Sequence, residues 1–286
     1  MKKTILAALM FVSAGAASAY FDGGLNHVSG TDGYSGQDAY LMIGFDNFWI
    51  KPEYSAYKND NTNTYRKYSA RVGFEKDLYT LSILAGMTPE ADNYKNKFAG
   101  ADITFSINPA SGSKKRMAGP NSGYGSRSGE GVTQIDLGAG LVYTAHTAND
   151  KDLAQLDASL FAAVKVLMAQ ISTGYTASSY DKTMSLANVG GTLVRSQRVS
   201  GLSSYLVGYP KSNVNVKVDL VGAPMVTPFV SYNKTKFELA SVDDLSAYGL
   251  GAYIDLNMVG ATVAYQTYKI GDDRSSFLSV SAGVRF

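Results

Sequence analysis

The strongest constraint on this chain is an alternation of apolar and polar side chains with period two, held over segments of about ten residues. Side chains at i and i+2 share one face of a β-strand, so each segment presents one greasy face and one wet face. In 65–75 the positions Tyr68, Ala70, Val72 and Phe74 oppose Lys67, Ser69, Arg71, Gly73 and Glu75. In 133–145, Ile135, Leu137, Ala139, Leu141 and Tyr143 oppose Gln134, Asp136, Gly138 and Gly140. The pattern returns in 213–220, with four apolar residues against Asn213, Asn215, Lys217 and Asp219. It returns again in 276–286, where Leu278, Val280, Ala282, Val284 and Phe286 oppose Ser279, Ser281, Gly283 and Arg285.

Two architectures use such strands, a soluble sandwich and a membrane barrel. Sandwich strands usually run five or six residues. Segments of ten or more have the length that a tilted strand needs to cross a bilayer. The wet faces are rich in Gly, Ser and Thr, which suits a barrel interior where many side chains converge around water. Tyrosines sit near segment ends, as at Tyr54, Tyr57, Tyr79, Tyr143, Tyr175 and Tyr232, and an amphipathic ring at a lipid–water boundary calls for this residue.

Residues 1–19, MKKTILAALMFVSAGAASA, read as a secretory signal. Lys2 and Lys3 form a basic start, a short apolar run follows, and Ala17-Ser18-Ala19 offers small residues to a signal peptidase. The mature chain is expected to be 20–286, one barrel domain. Removing Lys2 and Lys3 turns the formal charge of +2 into zero, which argues against nucleic acid as a partner. The chain has no Cys and only His27 and His146, leaving no thiolate site and little scope for zinc or triad chemistry.

The signal, the alternating segments and the final FLSVSAGVRF ending in Phe286 together resemble the outer-membrane β-barrel proteins of Gram-negative bacteria, porin-like ones included. The resemblance covers nearly the whole mature chain and stays at the level of the class. It implies a single-chain antiparallel transmembrane β-barrel in contact with outer-membrane lipid and lipopolysaccharide. It also implies that Phe286 and the strand before it are the signal read by the barrel-assembly machinery.

Fourteen strands are expected, at 20–29, 38–46, 48–58, 64–76, 78–88, 97–107, 131–145, 153–167, 169–180, 213–221, 225–235, 244–256, 258–270 and 275–286. Twelve is the alternative. With both termini in the periplasm, tight connections fall on the periplasmic side and longer ones outside. The exception is 108–130, long, basic and Gly/Ser-rich, yet periplasmic. The first segment is the weakest strand, because Asp22-Gly23-Gly24 reads as a turn, and 20–37 could instead be a plug. The outer segment 181–212 reads as a long loop, a candidate gate or binding surface.

On these facings the lumen carries Lys51, Lys67, Arg71, Lys165, Lys217 and Arg285 against Glu53, Glu75, Asp102, Asp136, Asp157, Asp219 and Asp255. Six cations nearly cancel seven carboxylates, so weak ion selectivity is expected. The expected function is a passive channel for small hydrophilic solutes, with no cofactor, no metal and no catalytic residue. Two alternatives stand beside it. One is a plugged transporter for hydrophobic compounds, with Phe161, Leu167 and Phe229 on its inner face. The other is a structural or adhesive barrel with a closed lumen. Asp150/Asp152, Asp243/Asp244 and Asp272/Asp273 are candidate cation ligands in outer loops, though Asp is also a common turn residue. His146, near Asp150 and Asp152, is the one plausible rim base, and a Ser/His/Asp coincidence there is cheap.

Overall fold

The computed structural model describes residues 19–60, 62–76, 78–107, 117, 133–182, 194–199, 202–207, 209–221 and 225–286. The strands are β1 (Ala19–Gly30), β2 (Ser35–Phe45), β3 (Phe48–Lys58), β4 (Tyr65–Glu75), β5 (Tyr79–Ala91), β6 (Tyr94–Ile107), β7 (Thr133–Ala148) and β8 (Lys151–Val166). They continue as β9 (Ala169–Tyr180), β10 (Val194–Val199), β11 (Leu202–Val207), β12 (Pro210–Leu220), β13 (Val226–Phe237), β14 (Leu245–Leu256), β15 (Val259–Ile270) and β16 (Asp273–Arg285). Fourteen of them close an antiparallel barrel, in which β9 pairs directly with β12 and β1 closes on β16. Strands β10 and β11 form a separate hairpin within the span read as a loop from sequence.

The first segment is a strand, not a plug. Asp22, Gly24 and Asn26 lie in register with Arg285, Gly283 and Ser281 on one side and with Met42, Tyr40 and Asp38 on the other. Gly24 belongs in this strand because the Tyr40 ring lies over it, with a Cβ there only 2.7 Å from the ring. Rings cover glycines elsewhere on the inner face: Tyr20 over Gly44, Trp49 over Gly73 and Phe161 over Gly138. Glycine weakens a strand, but here it makes room for an aromatic side chain on the neighbouring strand.

The end that carries Ala19 and Phe286 has short connections at 46–47, 76–78, 167–168, 221–225 and 257–258, plus the long one between Ile107 and Thr133. Within that long connection only Met117 is described; the rest of 108–130 lies outside the described residues, as does 1–18. Connections at the opposite end are not uniformly long. Strands β5–β8 run further than their hydropathy suggests and turn at Asp92-Asn93 and Asn149-Asp150, all four residues with φ between 49° and 60°. Consecutive left-handed residues make a two-residue hairpin turn, and Asn and Asp tolerate that conformation best.

Outward-facing side chains form an apolar belt in which Ile83, Leu141, Leu160, Val230 and Leu250 are each more than half exposed. A belt this large around the outside of a closed barrel has lipid as its solvent, and the chain folds as a transmembrane β-barrel. Aromatic rings bound the belt. Toward the terminus end, Phe21–Phe286, Phe48–Phe74, Phe74–Tyr79 and Tyr79–Phe105 lie 4.9–6.5 Å apart. Toward the other end are the outward tyrosines, with Tyr54–Tyr68 at 5.3 Å and Tyr232–Tyr248 at 5.2 Å. From Tyr79 to Met87 along β5 is eight residues, roughly 27 Å of strand and about 20 Å of height once tilted, close to one hydrocarbon thickness. Tyr57, read from sequence as part of the outer ring, points inward and is buried.

Candidate functional site

The inner wall is built by the other parity of every strand, and its polar side chains are tied across neighbouring strands. Arg71 on β4 donates to Ser82 on β5 at 2.8 Å and to Asp102 on β6, and Ser82 Oγ donates to Asp102 at 2.7 Å. Asp136 accepts from Ser106 at 2.6 Å and Gln134 at 3.0 Å. Asp157 accepts from Gln155 at 2.7 Å and Ser178 at 2.6 Å. Lys51 pairs with Glu53 at 2.9 Å and stands over the Tyr40 ring. Lys217 pairs with Asp219 at 2.6 Å. Arg285 lies 3.7 Å from Asp255 and 4.0 Å from Asp22, joining the last strand to the first. Lys67 stands over the inward Phe98 ring at 5.0 Å. Glu75 and the buried Lys165 share the inner face toward the terminus end. These thirteen charges are therefore spread around the circumference rather than gathered at one centre.

Sequence reasoning missed two inner carboxylates. Asp38 is buried and accepts from Asn26 at 2.9 Å, and Asp22 accepts from Tyr40 Oη at 2.9 Å. Asp22 lies in the segment whose glycines read as turns, and Asp38 is the first residue of the expected strand 38–46, at the edge of its alternation. Adding Asp22 and Asp38 to the seven acids above gives nine carboxylates against six cations among the described residues of the wall, rims aside. The described wall is net negative, and the near-cancellation expected from sequence is corrected to an excess of three carboxylates.

A second missed feature is an inward aromatic collar near the end opposite the termini. Tyr268, Phe277, Tyr34, Tyr57, Tyr65 and Tyr94 follow one another around the wall at centroid distances of 4.9–6.5 Å. Tyr180 and Tyr209 add an edge-to-face pair at 5.4 Å. Leu239 and Val242, from the connection after β13, pack on the same cluster. The signal was available: Tyr57 shares parity with Lys51 and Glu53, and Tyr65 with Lys67 and Arg71.

His146 is not at the rim. It lies on β7, buried, with Nδ1 2.9 Å from Tyr94 Oη and Nε2 3.0 Å from Gln155 Oε1. Gln155 donates its amide to Asp157, so its carbonyl accepts from His146 Nε2–H, and the imidazole serves as a link in the wall. Asp150 sits in the hairpin turn and Asp152 accepts from Thr147, so the triad suggested by sequence does not assemble. Asp244 pairs with Lys234 at 3.1 Å, and no group of three potential metal ligands forms among the described residues. Leu167 is in a turn and exposed, not on the inner face, whereas Phe161 and Phe229 do point inward. Met117 is buried against Ala163 and Phe161, and its N–H donates to Asp136 at 2.5 Å, so this residue of the long connection sits inside the wall.

No protein-family model matches the sequence, and no curated protein matches it. Solved structures with a similar backbone include CdiB from Acinetobacter baumannii, at 11% identity and a TM-score of 0.48, with 95% of this chain matched to 60% of that one. They also include a loop L8 deletion mutant of OmpT, an outer membrane protein of Vibrio cholerae, at 10% identity and 0.48, covering 94% and 99% of the two chains. A third is OccD3 (OpdP) of Pseudomonas aeruginosa, at 11% identity and 0.45, covering 96% and 93%.

Proposed function

We propose that the chain is a passive outer-membrane channel for small hydrophilic solutes, with a moderate preference for cations. One observation carries this reading: a closed barrel with an apolar exterior has an inner wall lined around its circumference by charged and hydroxyl side chains. Lipid dissolves the outer face, and water fills the space that the inner face bounds. The excess of carboxylates raises the local concentration of cations along the wall. Residues 1–19 act as the secretory signal, the termini lie in the periplasm and the aromatic collar faces outside. Liposomes carrying the folded protein are expected to swell faster in arabinose than in raffinose, with protein-free liposomes as the control; equal rates in both sugars, matching the control, contradict it.

A second reading rests on the collar. Its buried tyrosines and Phe277 pack against each other and against Leu239 and Val242, the packing expected of a barrel sealed at the outer end with a structural role. Conductance separates the two readings.

The C-terminal strand supplies the assembly signal in this account. Phe286 exchanges backbone hydrogen bonds with Phe21 at 2.9 and 3.0 Å, and the two rings touch at the lipid boundary. Phe286→Ser is expected to lower the amount of heat-modifiable barrel in outer-membrane fractions several-fold while leaving refolding into detergent micelles intact. Unchanged outer-membrane yield contradicts a recognition role.

A further inference from the structure

The inner wall holds one site whose chemistry the channel reading does not use. On β13 and β14 the Phe229 and Tyr253 rings stack at 4.7 Å with 29° between their planes. Both are buried, and Gly251 opposite Phe229 leaves the room, since a Cβ there would lie 2.6 Å from the ring. The ammonium of Lys217, from β12, sits 5.1 Å from the Phe229 centroid, 4.7 Å from the Tyr253 centroid and 2.6 Å from an Asp219 oxygen. Two π-faces and a carboxylate converging on one positive nitrogen are the components that bind organic ammonium ions. The lysine side chain is 22% exposed, so the cage opens to the lumen.

We propose that Phe229, Tyr253 and Asp219 form a binding site for primary ammonium compounds, and that Lys217 is its tethered occupant, which a passing alkylammonium solute displaces. The proposal rests on the channel reading in one respect, that solutes reach the inner wall. A flexible four-carbon stem lets the lysine swing into lumen water when displaced. A tethered group competes with an effective concentration in the millimolar range, so exchange is weak and fast, as conduction requires. Lys51 and Lys67 each stand over an inward ring as well, at 5.2 and 5.0 Å, so the wall repeats the chemistry in simpler form.

The test is titration calorimetry of the folded barrel in detergent with n-butylammonium, the free equivalent of the lysine side chain. Lys217→Ala is expected to bind it saturably at one site, about tenfold more tightly than the unaltered chain, in which the tether competes. Lys217→Ala combined with Phe229→Leu and Tyr253→Leu is expected to lose that binding by tenfold or more, and n-butanol is expected not to bind. Lys217→Ala with Asp219→Asn, a smaller change to the wall, is expected to weaken binding too and serves if the ring variants fail to fold. No saturable binding to Lys217→Ala, or binding indifferent to the rings and to Asp219, overturns the proposal. Butylammonium binding in a protein that carries no current would sink the channel reading and leave the cage standing; steady current without binding would do the reverse.

Discussion

Replacing Arg71 with Met is expected to lower the unfolding free energy by about 3–5 kcal/mol, the cost of stranding one member of a buried ion pair. Arg71 stitches three adjacent strands through Ser82 and Asp102, and its side chain and that of Asp102 are only 10% and 4% exposed. Methionine fills the stem of the arginine but offers Asp102 no donor in place of the guanidinium. Urea unfolding in lipid vesicles measures the loss, followed by the fluorescence of Trp49, the single tryptophan, whose ring lies over Gly73 two residues from Arg71. The pair Arg71→Met/Asp102→Leu removes both charges and is expected to recover most of the stability. A loss below about 1 kcal/mol in the single variant would show that lumen water already solvates the carboxylate.

The second large effect separates the two faces of neighbouring strands. Ile83 on β5 points outward, 60% exposed, beside Val72 and Ala101 in the middle of the apolar belt. Ile83→Arg is expected to cost about 2–4 kcal/mol, because a guanidinium at that depth faces hydrocarbon. Ser69 on β4 points inward, in register with Glu53 on one side and Gly86 on the other. Ser69→Arg faces the polar inner wall beside the Glu53 carboxylate, so its expected cost is below about 1 kcal/mol. The same unfolding assay reads both variants. Equal costs would contradict the assigned facings of these strands.

Much of the barrel was legible because burial on one side only imposes period two. The segment 65–75 shows how: four apolar positions on one parity and Lys67, Arg71 and Glu75 on the other leave one way to place it in a membrane wall. Three kinds of information were hidden. Glycines in β1 read as turns because sequence does not reveal the Tyr40 ring that needs Gly24; Asp22 on β1 and Asp38 at the start of β2 do not read as wall residues, so the carboxylate excess reads as one instead of three. Tyrosine serves both faces of such a barrel, so Tyr57 was assigned to lipid although its parity matched Lys51. Hydropathy also fades near the rim where strands leave lipid, so β7 and β8 were ended short of the Asn149-Asp150 turn and His146 was placed in a loop. The cage around Lys217 depends on register between β12, β13 and β14, which no single segment reports.

The central claim is that the charged inner wall bounds a continuous water path. The measurement that tests it most directly is single-channel current of the refolded protein in a planar bilayer, first in symmetric and then in asymmetric potassium chloride. The account predicts steady open steps and a reversal potential of the sign that marks preference for potassium over chloride, following the excess of carboxylates that Asp22 and Asp38 raise from one to three. A folded, heat-modifiable barrel that passes no current, or one that prefers chloride, would contradict it.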